Sequence, residues 1–163
     1  MLSLRAIFAA VLVMFAATDA LAALARESGL PLPRFASVRA SEANMRTGPG
    51  LDYPIQWVLK RPGLPVLIVD EFHHWRQIRH WDGETGWVHR SMLTGRRTLR
   101  AQRADLLLSA PDEEATPRAR IEPGAILVAE ACDHAWCRVK GGRHSGFVER
   151  DAVWGLLDGE VLD

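Results

Sequence analysis

The feature that most constrains the fold is an internal repeat of about 60 residues. Residues 38–45, VRASEANM, lie over residues 99–106, LRAQRADL, at an offset of 61. The same offset carries Pro62 and Gly63 onto Pro123 and Gly124, Val66 onto Leu127, Trp75 onto Trp136, and Ile78 onto Val139. One residue is then lost in a turn. After it Gly86, Trp87, Val88 and Arg90 fall on Gly146, Phe147, Val148 and Arg150, and Gly95 falls on Gly155. Turn residues and apolar positions repeated in one order predict two copies of one small fold.

Each copy reads as strand. Short apolar runs at 66–69 and 126–128 follow the Pro-Gly turns, and 75–78 with 136–139, then 86–89 with 146–149, continue the series. Asp82 and Gly83 mark a turn between two of these strands, matched by Gly141 and Gly142. The pattern predicts a small β-barrel or a pair of tightly packed sheets, with single helical turns at 90–93 and 150–153 closing each unit. Strand parity adds a distinction between faces. With Ile78 and Val88 in the first core, Trp75 and Trp87 point outward, and much of each is expected to be exposed. With Val139 and Val148 in the second core, Trp136 and Phe147 do the same. Trp57 is expected in the first core.

The amino terminus stands outside the repeat. Arg5 precedes an apolar run over residues 7–17, followed by small-residue boundaries at Ala20 with Ala22 and Ala23 with Ala25. This predicts a signal peptide over 1–25, cleaved near residue 22 or 25, and its apolar run is shorter than the roughly 20 residues that span a bilayer. An uncleaved anchor is the alternative reading. The expected protein is exported, periplasmic in a Gram-negative cell, with no stable membrane span after cleavage. Export bears on the only two cysteines, Cys132 and Cys137, which enclose DHAW. A hairpin there would let them form a local disulfide, the pairing expected; two reduced thiols, or metal or redox chemistry, are the alternatives.

Charge excludes one class of partner. The chain carries 20 basic and 20 acidic residues and is 48% apolar, so nucleic-acid binding driven by global charge and wholesale disorder are both unsupported. The balance is uneven along the chain: 35–98 holds nine basic and six acidic side chains, 99–163 eight and twelve.

The first copy resembles the bacterial SH3-like domain family. The resemblance rests on ANMRTGPG at 43–50, Tyr53, Pro62 with Gly63, Trp75, and GWV at 86–88. The second copy keeps WCRV at 136–139, GFV at 146–148, and Trp154 with Gly155, as tandem exported members do. It implies two SH3-like β-barrels in tandem: a short segment at 26–34, a first domain at 35–98, a divergent second domain at 99–157, and a tail at 158–163. It also implies a binding module for peptidoglycan or its stem peptides, with an envelope protein contact or scaffold role as the alternative and a cell-wall hydrolase accessory or enzyme as a further one. The second copy has DLLLSAP at 105–111 where the first has NMRTGPG, so binding properties of the first turn do not transfer.

Aromatic and basic residues of the positive half are the ligand-binding candidates: Arg46, Tyr53, Trp75, Arg76, Arg79, Trp81 and Trp87. For each, packing or a local pairing is the competing structural reading. The sequence holds no nucleophile elbow, no HExxH and no phosphate loop, so it is read as non-enzymatic and without a cofactor. His73 and His74 are read as a turn rather than a metal site, and His134 as a surface residue.

Overall fold

The computed structural model describes residues 28–163; the predicted signal peptide lies outside the described residues. The first half forms β1 (Arg34–Val38), β2 (Ala43–Arg46), β3 (Ile55–Leu59), β4 (Pro65–Phe72), β5 (Trp75–Arg79), β6 (Thr85–His89) and β7 (Leu93–Thr94). The second forms β8 (Thr98–Ala101), β9 (Asp105–Leu108), β10 (Pro117–Ile121), β11 (Ile126–Cys132), β12 (Trp136–Gly141), β13 (His144–Glu149) and β14 (Val153–Trp154). Each half is one antiparallel sheet, ordered β3-β2-β6-β5-β4-β1-β7 and β10-β9-β13-β12-β11-β8-β14, so the second repeats the first strand for strand. A 3-10 turn precedes the last strand of each, at Arg90–Met92 and Arg150–Ala152, where single helical turns were expected.

Alternation supplies each sheet with its own core. Val38, Met45, Val66, Ile78 and Val88 are buried together in the first, and Leu99, Leu107, Val139 and Val148 in the second. Ile78, Val88, Val139 and Val148 therefore sit where strand parity places them. Gly86 and Gly146 let the strands cross tightly. A Cβ at Gly86 would meet Met45 and the Arg46 carbonyl, and one at Gly146 would meet Leu107 and the Leu108 carbonyl.

The ladders correct the repeat register. Ala36 faces Val66 while Leu99 faces Leu127, so β1 and β8 are equivalent at an offset of 63. Met45 faces Trp57 and Leu107 faces Ala119, which sets β2 and β9 at 62. The offset of 61 begins only at β4. Laying Val38 on Leu99 and Met45 on Leu106 is thus wrong by two residues and by one. A slip of one residue reverses the faces: Leu107 is buried and fills the place of Met45, while Leu106 is exposed.

Trp57 requires a second correction. It lies opposite the buried Met45, hence on the core-facing side, but β3 is the outermost strand, with no strand beyond it among the described residues, and 54% of Trp57 is exposed. Ala119 occupies its place in the second sheet.

The two units touch along β1 and β8. The buried hydroxyls of Ser37 and Thr98 lie 2.6 Å apart, with Ser37 also 2.6 Å from the Arg96 carbonyl and Thr98 2.6 Å from the Gly63 carbonyl. Arg61 donates to the Gly124 carbonyl at 2.9 Å, and Phe35 meets Trp154 edge to face at 4.9 Å. The final residues are also held. Leu162 exchanges backbone hydrogen bonds with Cys132, and Arg97 reaches the Glu160 carboxylate at 2.6 Å.

Candidate functional site

The outer face of β5 and β6 carries the site. Trp75, Gln77 and Arg79 lie opposite His89, Trp87 and Thr85, and Arg46 of β2 lies opposite Trp87. Trp75 and Trp87 therefore do point away from the core containing Ile78 and Val88. The exposure expected of Trp75 is not found: it is only 9% exposed, because it forms the floor of a cleft of about 520 Å³. The His89 ring stands edge-on to it at 5.5 Å, and His74 completes that wall. Asn44 and Arg46 of β2, with Glu42, Leu51 and Met92, also line it. Trp87, Trp136 and Phe147 are half-buried.

Local folding explains why these groups converge. Phe72 pairs with Trp75, so His73 and His74 form a two-residue hairpin turn, and His73 takes a positive φ of 48°. That turn brings His74 into the cleft, with its ring 6.0 Å from that of His89. Arg46 donates to the carbonyls of Leu51 and Tyr53 at 3.0 and 2.7 Å, which folds the intervening loop back onto the sheet. Gly48 lies directly under the Tyr53 ring, where a Cβ would not fit. Arg46 thus shapes the cleft through a local pairing, and the half-exposed Tyr53 covers the loop instead of entering the cleft.

His89 is tied into the turn that follows it. Its Nδ1 accepts from the Ser91 backbone N–H at 3.3 Å, capping the 3-10 turn, and lies 2.7 Å from the Ser91 hydroxyl. Burial, and then the positive charges of His74, Arg90 and Arg76, hold its pKa below the ordinary histidine value. The cleft therefore offers an aromatic floor, two imidazole rings, an amide, a carboxylate and a guanidinium.

The remaining candidates lie elsewhere. Arg76 is buried, with Nε 3.1 Å from the Glu71 carboxylate and Nη1 donating to the carbonyls of His73 and Trp75. Trp81 is stacked under the Arg100 guanidinium at 3.6 Å, a contact between the two units. Arg79 is exposed at the far end of β5. Of the seven candidates only Arg46 and Trp75 line the cleft, with Trp87 beside Arg46. Asn44, His74 and His89 were missed. Asn44 alternates with Arg46 on β2 and His89 lies opposite Trp75, so period-two reasoning extended across the ladder would have found both. Leu51 and Met92 come from a loop and a turn without such a signal.

The second unit has a cleft of about 600 Å³ that shares the wall at Trp136 but runs over residues 150–158, away from β9. Ala135 and Glu149 replace His74 and His89, and Glu149 is paired with Arg103 at 2.7 Å. Its chemistry differs accordingly. Among the described residues, no group of three or more His, Cys, Asp or Glu side chains is arranged to hold a metal ion. Cys132 and Cys137 face each other in the β11–β12 ladder and are joined in a disulfide.

A family model described as bacterial SH3 domain matches residues 39–95 and again 105–155. No curated protein matches the chain. Solved structures of NlpC2 and NlpC1 from Trichomonas vaginalis are similar at 13% identity and a TM-score of 0.36 each. The alignments cover 77% and 79% of this chain but only 49% and 48% of those chains, so it spans about half their length. Domains of the matched family are non-catalytic. With two matches that together cover more than half of its residues, in register with two sheets of identical strand order, the chain belongs to the bacterial SH3 domain family and carries the domain twice.

Proposed function

We propose that the chain is an exported binding protein of the cell envelope that recognises peptidoglycan through its stem peptides, using the cleft over Trp75. The observation that carries this reading is the cleft's composition. An aromatic floor suits a short chain of small side chains, and Glu42, 3.4 Å from Lys60 on the exposed surface, and the Arg46 guanidinium, whose Nη1 is held by loop carbonyls, put both signs of charge beside it for a ligand bearing amine and carboxylate groups. Stem peptides are short, small-residue chains with both groups. The His89 ring, its pKa lowered first by burial, adds a hydrogen-bonding group to the wall. Binding is the whole of the mechanism.

The test is titration of purified, soluble stem peptides and co-sedimentation with isolated cell wall, comparing wild type with Asn44→Ala and His74→Ala. Both side chains are exposed, so folding is retained. Each variant is expected to weaken binding by about 3- to 10-fold, as peripheral contacts of a small site do. Unchanged affinity in folded variants removes the cleft from recognition. Absence of wall binding together with reproducible crosslinking to one envelope protein replaces this reading with a scaffold role.

A further inference from the structure

The two units differ in what lies beside one repeated arginine. Arg90 and Arg150 open the two 3-10 turns, and their backbone N–H groups donate to the carbonyls of His74 and Ala135, the residues before Trp75 and Trp136. Arg34 and Arg97 are likewise equivalent, by the offset of 63 that relates β1 to β8. In the second unit both arginines hold the chain's own tail. Arg150 donates through Nη1 to the Glu160 carbonyl and through Nη2 to the Leu157 carbonyl, each at 2.7 Å, and Arg97 takes the Glu160 carboxylate through both of its Nη atoms. The Leu157 N–H donates to that carboxylate and the Glu160 N–H to the Leu157 carbonyl. Residues 157–160 are thus an acidic turn seated on two guanidinium groups.

The first unit has no such segment, since only residues 95–97 separate β7 from β8. Arg34 and Arg90 instead line a cavity of about 520 Å³, together with Phe35, Ala36, Ile68 and Leu93. Arg76 and Arg97 also reach it. Four guanidinium groups there meet two carboxylates: Glu71 pairs with Arg34 and Arg76, and Glu160 with Arg97. Arg90 is exposed, and its guanidinium makes no hydrogen bond or ion pair among the described residues.

We propose that this cavity is a docking site for an acidic peptide turn of a partner protein, seated on Arg90 as residues 157–160 are seated on Arg150. Two observations select this occupant. The excess of guanidinium over carboxylate groups calls for an acidic segment, and the equivalent arginine shows what such a group takes in this fold, namely the carbonyls of a tight turn. The chain's own tail is already held by Arg97 and Arg150, so a second copy does not supply the segment. The cavity shares no lining residue with the cleft over Trp75, and this inference stands apart from the ligand reading.

Titration of the ¹⁵N-labelled chain with a synthetic peptide of the tail sequence, LLDGEVLD, blocked at both ends, tests it. Saturable shifts of the Arg90, Leu93 and Thr94 amides are expected, with the tail's own amides unmoved. Arg90→Ala weakens binding at least about 5-fold, as loss of a charge-assisted contact does. Arg96→Ala removes an equal charge from an exposed side chain outside the cavity and leaves affinity within about twofold of wild type. Absence of saturable binding overturns the proposal. So do shifts confined to the second unit, where the peptide has only exchanged with the tail, and equal weakening by the two variants, which marks non-specific attraction to positive charge.

Discussion

At Glu71 a carboxylate is taken out of water among three partners. Its side chain is 1% exposed, the Arg34 and Arg76 guanidinium groups both reach Oε1, and the Ser28 hydroxyl donates to it at 2.7 Å. Burial pushes the Glu71 pKa up, but hydrogen bonds from Arg34 and Ser28 and the Arg34 charge outweigh it and leave the pKa below the ordinary glutamate value. A depressed carboxylate stabilises the fold above its unfolded pKa, and this contribution is lost as pH falls through the lower folded value. Glu71→Gln is expected to cost about 3 kcal/mol at neutral pH, because Arg34 and Arg76 lose the carboxylate charge between them, and to flatten the loss of stability with acid. Urea unfolding from neutral pH downward measures both; an unchanged acid limb would contradict this role. None of the network was legible in the sequence, since Arg76 reads there as one of several arginines in a basic half. The tryptophans divide similarly. Parity gave the correct face for Trp75 and Trp87, but the exposure of Trp57 and Trp75 depends on which strand is outermost and on where the His73-His74 turn folds, and neither is local information.

Strand runs, turns and the two helical turns were legible because they depend on nearest neighbours: Pro-Gly before β4 and β11, and Asp82 with Gly83 before β6. The register of β1 and β2 was not. Arg39 and Arg100, with Ala40 and Ala101, match by chance at an offset of 61, whereas equivalence in the fold follows the ladders to β4 and β11. The β11–β12 hairpin carries its own prediction. Non-reducing peptide mass mapping of exported protein is expected to recover Cys132 linked to Cys137. Replacing both with serine should retain the fold at a cost of about 2 kcal/mol or less, as expected for so short a loop. Two freely alkylated thiols in protected, freshly released protein would contradict the pairing.

At the scale of the molecule, two copies of one domain have diverged in surface and kept their topology. The duplication and the family are legible in the amino-acid repeat itself, because core positions and turns recur. The cleft was only partly visible there, since it is assembled from β2, β5, β6, a loop and two turns far apart in sequence. The positive first half holds the cleft with His74 and His89 and the apolar β3, while the acidic second half has a charged edge and a cleft lined by Glu149 and Asp151. Export is expected to remove about the first 22 to 25 residues. Intact-protein mass after osmotic release from a Gram-negative host checks this, and a full-length chain confined to the cytosol would contradict it. Recognition in the first cleft is tested most directly by titrating ¹⁵N-labelled protein with purified stem peptides. Saturable shifts of the Asn44, His74 and His89 amides and of the Trp75 indole N–H are expected. No shifts at these residues, or shifts confined to the second unit, would contradict it.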